Sequence, residues 1–115
     1  MTPLHIIWAI ACVFIIAAGQ LLFKKAGMEI QIAGTWASPR VMVVVGSALF
    51  IYGLATLLWI SLLRYVPLNK AYVFMALSFV LVPIASTFIF REQVTLGYWT
   101  GVALIVSGVI VASKF

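Results

Sequence analysis

The chain has 115 residues, of which 66% are hydrophobic and 8% charged, with seven Lys and Arg against two Asp and Glu. Soluble domains are about a quarter charged, so the composition excludes an ordinary soluble domain and leaves no length for a soluble catalytic module. The net charge of +5 is read as contact with lipid phosphates at helix ends, not as affinity for nucleic acid.

Four apolar runs, Leu4–Phe23, Val41–Leu63, Ala71–Phe90 and Leu96–Ala112, fill most of the chain, and none holds an acidic residue. A bilayer core of roughly 30 Å takes about 20 apolar residues as a helix. The expected architecture is an all-α membrane protein. A single domain over residues 1–115 carries four transmembrane helices at about 4–25, 41–64, 69–90 and 95–113. The first run is not a cleavable signal: no basic segment precedes it, it is too long, and three further spans follow.

Helix 1 is expected to end at Lys24-Lys25-Ala26-Gly27, where cations suit a helix C-terminus and glycine suits the cap. Along it, His5, Ala9, Cys12, Ile16, Gln20 and Lys24 recur every three or four residues and share one face flanked by Gly19. Two readings of that face stand: helix packing with Gln20 bonded to a neighbour, or a cavity wall with Gln20 on a substrate. His5 lies too near the terminus for a proton relay. Cys12, the single cysteine, excludes an internal disulfide and reads as a small packing residue. Met28–Arg40 is expected to be the one sizeable loop, interfacial and partly helical, with Glu29 a solvated acid.

The second and third spans are joined tightly through Arg64-Tyr65-Val66-Pro67-Leu68-Asn69-Lys70. Lys70 either snorkels to the interface or, at the first turn of the third helix, joins backbone N–H groups and Tyr72 in a phosphate site. Arg64 supplies a planar fork for the same phosphate. Pro83 removes one backbone donor and frees the carbonyl near Phe79, with Ser78, Ser86 and Thr87 placed to satisfy the local backbone. Such a kink either adjoins a binding site or has no functional role. Glu92, after Arg91, reads as a local ion pair or a cap for the last helix.

In that last helix Gly97, Gly101, Ile105, Gly108 and Ala112 line one face. Gly97-x-x-x-Gly101 lets two helix backbones approach closely, and dimerisation is the expected use. An even number of spans puts Arg64, Lys70 and Lys114 on one side and Lys24, Lys25, Arg40 and Arg91 on the other. So small a bias leaves orientation open and fits an antiparallel homodimer, or a partner chain that supplies the inverted half. No metal cluster, nucleophile–base pair or nucleotide-type phosphate loop stands in the sequence, so neither an enzyme nor a cofactor is expected.

With these residues in view, the chain resembles the drug/metabolite transporter superfamily at its smallest size, the four-helix small multidrug resistance type. Within it the likeness is to the small subunits of the aminoarabinose-phosphoundecaprenol flippase. It rests on Ala18-Gly19-Gln20, Leu57-Leu58-Trp59, Val66-Pro67-x-x-x-Ala71-Tyr72, Leu77-Ser78-Phe79-Val80, Glu92, and Trp99-x-Gly101-Val102-x-Leu104-Ile105-x-x-Gly108. Two departures stand out. Lys70 occupies a place that is usually apolar in that pattern. Phe14-Ile15-Ile16-Ala17 lacks the glutamate that proton-coupled multidrug members carry in helix 1. The resemblance implies a dimer in the bacterial inner membrane that moves a polyprenyl-phosphate-linked monosaccharide across it. On that reading Lys70 and Arg64 hold the phosphate, and Gln20, Asn69, Tyr72 and Tyr52 meet the sugar. The competing expectations are an exporter of cationic drugs or metabolites, with Trp8, Trp59, Tyr52 and Tyr72 around the cation, and a non-transporting assembly subunit.

Overall fold

The computed structural model describes residues 2–114. Its helices are α1 (Pro3–Ala33), α2 (Pro39–Leu63), α3 (Leu68–Tyr72), α4 (Ser78–Ile89) and α5 (Leu96–Ser113), with a 3₁₀ segment, Val73–Leu77, joining α3 to α4. No strand occurs among the described residues. Three stretches are long and apolar enough to cross a membrane, namely α1, α2 and the composite Leu68–Ile89; Leu96–Ala112 is a fourth, shorter apolar helix.

Sequence chemistry sets most helix starts. Thr2 caps α1, its Oγ1 accepting from the His5 N–H at 3.3 Å, and Pro3 occupies the first turn, where its missing donor costs nothing. Thr95 does the same for α5, accepting from the Tyr98 N–H at 3.2 Å. Pro39 opens α2 after an extended Ser38.

Helix α1 does not stop at the two lysines. It runs on to Ala33 and ends at Gly34, whose φ of 73° is the left-handed conformation and whose N–H returns to the Ile30 carbonyl at 2.8 Å. Gly27 is carried inside the helix. An interior glycine costs about 0.5–1 kcal/mol relative to alanine, too little to end a helix whose next residues keep their own bonds. The expected loop over Met28–Arg40 therefore shrinks to residues 34–38. Glu29 is not a solvated acid either: its side chain is 13% exposed and pairs with Arg40 Nε at 2.9 Å, tying α1 to the start of α2.

Helices α1 and α2 form an antiparallel hairpin that holds most of the packed interior. The buried residues of α2 are Val41, Ala48, Ala55 and Leu62, one every seventh position. A seven-residue repeat keeps one seam against a partner helix with a slight left-handed crossing. α1 answers with Ala9, Cys12, Val13, Ile16, Gly19 and Ala26. Small side chains let the backbones close, which matters where lipid supplies no hydrophobic drive and van der Waals contact must hold the pair. At the terminal end Ala9, Leu62, Val66 and Ala71 make a core covered by Trp8, Trp59, Leu63 and Phe74. The Trp8 Nε1–H donates to the Leu58 carbonyl at 3.1 Å.

The second half is looser. The composite third span packs on α1, and α5 rests mainly on the 3₁₀ segment, with Val102 its buried residue. The extents of 48 × 36 × 17 Å describe a slab about twice as wide as it is thick, not the square section of a closed four-helix bundle.

Candidate functional site

The third span departs from a regular helix where it faces α1. α3 gives way to 3₁₀ geometry after five residues, and Pro83 sits inside α4. Hydroxyls turn back on the local backbone: Ser86 Oγ and Thr87 Oγ1 donate to the Pro83 carbonyl at 3.0 and 2.8 Å, and Ser78 Oγ donates to that of Met75 at 2.6 Å. These are the residues expected to help satisfy the broken ladder, but they bond back within their own turns, at Pro83 and Met75, and not to the Phe79 carbonyl that Pro83 frees.

Between this irregular span, α1 and the start of α5 lies a half-open cleft in two continuous parts. The first, about 340 Å³, is lined by Gln20, Lys24, Pro83, Ser86, Glu92 and Tyr98 among others. The second, about 370 Å³, holds Gln20, Tyr52, Tyr72, Ser78, Pro83 and Tyr98. Gln20, Pro83 and Tyr98 line both, so they mark the middle of one channel. Each part lies in the range of roughly 300–1,000 Å³ usual for small-ligand sites.

Tyr52 reaches the cleft because Gly19 has no side chain. A Cβ at position 19 would stand 2.8 Å from Tyr52 Cδ2, closer than real carbon contacts allow. The ring also tilts against Phe23, centroid to centroid 5.2 Å. The small residue in helix 1 thus places an aromatic donor from α2 beside Gln20.

At the loop end, α4 stops at Ile89, and Arg91 takes the left-handed conformation with φ 56°. A non-glycine residue there is uncommon. It turns the chain so that the Glu92 N–H points back to the Ser86 carbonyl at 3.4 Å and the Glu92 carboxylate faces Lys24 Nζ at 3.8 Å. Glu92 therefore pairs across the cleft with α1, not with its neighbour Arg91, and it does not cap α5: Thr95 does.

Of the residues singled out in the sequence, Gln20, Tyr52 and Tyr72 come together in the cleft. Asn69 lies beside Tyr72 on a different surface, with Val73, Val109 and Ala112. Arg64 and Lys70 line neither part of the cleft. Arg64 donates from Nη2 to the Tyr65 hydroxyl at 3.1 Å and stands over the Tyr65 ring, against which His5 stacks at 5.6 Å. The four aromatics proposed around a cation divide: Trp8 and Trp59 cover the terminal core, while Tyr52 and Tyr72 line the cleft.

Tyr98 was not singled out. Its signal was present, since Thr95 caps the helix at Tyr98 and so sets the first turn of α5 against the α4 turn. Gly97, Gly101 and Gly108 meet no neighbouring element: an added Cβ finds only Thr95 Oγ1, at 3.8 Å from Gly97, and nothing within 4 Å at the other two.

The sequence pattern of the EamA-like transporter family matches residues 4–114. A "probable 4-amino-4-deoxy-L-arabinose-phosphoundecaprenol flippase subunit" of Hamiltonella defensa is 32% identical over 114 residues, 96% of each chain. Proteins of the same name from Salmonella enteritidis PT4 and Salmonella newport are 39% identical over 93 residues, 81% of this chain and 82% of theirs. No solved structure matches.

Proposed function

The chain belongs to the EamA-like transporter family, and from that premise we propose that it is one subunit of a flippase for a glycosylated polyprenyl phosphate in the bacterial inner membrane. The observation that carries the reading is a polar-lined, half-open cleft in an otherwise apolar helical body. A sugar phosphate cannot enter hydrocarbon without losing its hydrogen bonds to water, at several kcal/mol per group. Gln20, Tyr52, Tyr72 and Tyr98 offer replacement partners along one path. An open side leaves the prenyl chain in lipid while the headgroup moves.

Lys70, with Arg64, is assigned the phosphate on the terminal side, and Gln20, Tyr52, Tyr72 and Asn69 the sugar hydroxyls. The relatives are named as subunits, and a second chain placed on the open glycine face of α5 would close the slab. The partner is either a second copy or a homologous small subunit, and rocking of one chain against the other gives alternating access. Export of organic cations is less well supported, because the two acids lie outside the middle of the cleft, Glu29 with Arg40 and Glu92 with Lys24.

Native mass spectrometry of the protein extracted gently from its own membrane tests this. A two-chain complex carrying a polyprenyl-phosphate sugar is expected. A lipid-free complex that binds only organic cations would overturn the reading.

A further inference from the structure

The turn between α4 and α5 has open space on both of its faces. Glu92, Gln93 and Val94 line the part of the cleft that measures about 340 Å³, and the same three residues line a further cavity of about 440 Å³ with Thr87, Phe88 and Trp99. From Arg91 to Thr95 the chain belongs to no helix or strand. Its two ends are pinned, by Arg91 in the left-handed conformation at φ 56° and by Thr95 at the cap of α5. A non-glycine residue in that conformation persists only where its surroundings hold it. Here the fastenings are loose. The Glu92 N–H reaches the Ser86 carbonyl at 3.4 Å, against a usual distance of about 2.9–3.0 Å. The Glu92 carboxylate stands 3.8 Å from Lys24 Nζ, beyond a charge-assisted bond of about 2.7–2.9 Å. Both side chains are half-exposed, at 53% for Lys24 and 44% for Glu92.

We infer that residues 91–95 form a movable strap over the loop-side mouth of the cleft, latched shut by the Lys24–Glu92 pair and opened by swinging into the second cavity. Arg91 is the hinge: turning it out of the left-handed region carries Glu92 away from Lys24. Hinges of this kind are a few loop or element-terminal residues that absorb a backbone change. Such a latch has to be weak. An exposed ion pair shifts an equilibrium by only about two- to fivefold, so the strap is locked in neither position. Opening strands no buried ion, because both charges already meet solvent when the strap is shut. The strap concerns how one mouth of the cleft is closed. It stands on the cleft itself, not on the flippase reading, and holds for any cargo.

Thiol accessibility of the full chain in nanodiscs, with any partner chain it retains and no added cargo, tests this. Ser86 lines the mouth and is 8% exposed, so Ser86→Cys in a Cys12→Ala background reports opening to a water-soluble maleimide. Lys24→Gln and Glu92→Gln are each expected to speed labelling about two- to fivefold, and the two together no further. The exchanged pair, Lys24→Glu with Glu92→Lys, should return the rate towards that of the unaltered pair. Raising the ionic strength to about 1 M, where the screening length falls to about 3 Å, should speed labelling with the pair intact and leave Glu92→Gln unchanged. Native Cys12, fully buried in the α1–α2 seam, is the control for general loosening. In chains that keep it and keep Ser86, its labelling should stay slow in every variant. Single variants that label no faster than the unaltered pair overturn the inference. So do variants that expose Cys12 to the same degree, since the pair would then hold the whole chain and not a strap. Either failure leaves the flippase reading standing, because no cargo takes part.

Discussion

Two stripes of small residues in this chain have opposite fates. In the α1–α2 hairpin, Ala9, Cys12, Gly19 and Ala26 meet Val41, Ala48, Ala55 and Leu62 in a seam that is closed within the chain. In α5, Gly97, Gly101 and Gly108 present an equally small face, and nothing among the described residues packs tightly on it. The same device, a smooth surface that invites a second backbone, is spent internally in one half and left over in the other. The first half is the scaffold. The second half, with its 3₁₀ segment, Pro83 and loosely held α5, borders the cleft and leaves its glycine face open among the described residues.

That contrast can be broken on purpose. Leu62→Ala removes a fully buried side chain from the terminal core and is expected to destabilise the chain by about 2–5 kcal/mol, read as a lower midpoint in detergent titration followed by tryptophan fluorescence. Gly19→Ala should cost about 1–3 kcal/mol, because the Tyr52 ring must shift out of contact. The same variant should weaken lipid binding, and a Tyr52→Ala,Gly19→Ala double variant should recover the stability lost but not the binding. Arg40→Gln, which leaves the largely buried Glu29 carboxylate unpaired, is expected to cost about 1–3 kcal/mol. Gly101→Leu together with Gly108→Leu should leave the stability of the single chain within about 0.5 kcal/mol of wild type. It should still abolish association, measured by energy transfer between labelled chains in vesicles. A double variant that unfolds the isolated chain would show that α5 is internal packing after all, and the two stripes would no longer differ.

Much was legible from residues alone, and for definite reasons. The caps at Thr2 and Thr95 are local chemistry but were not singled out, Glu92 being the expected cap of the last helix. The membrane class follows from run length and hydropathy, and Gln20 stood out as an amide in apolar surroundings. The end of α1 was misplaced because two glycines compete for the cap, and only the folded backbone shows that Gly34, not Gly27, is left-handed. The seven-residue seam of α2 was hidden because nearly every position there is apolar, so periodicity has no polar face to contrast with. The Lys24–Glu92 contact was out of reach, since it joins residues 68 positions apart.

The sequence by itself determined that this chain is a membrane-embedded set of four helical passes, since hydrophobic length and local caps depend only on neighbouring residues. Tertiary structure alone decided which small stripe is consumed, which aromatics share a cavity and which charges face one another. Those are distances between helices, and in lipid such distances are set by shape. Shape emerges only once Gly19 admits Tyr52 and the kinked third span leaves a gap beside Gln20.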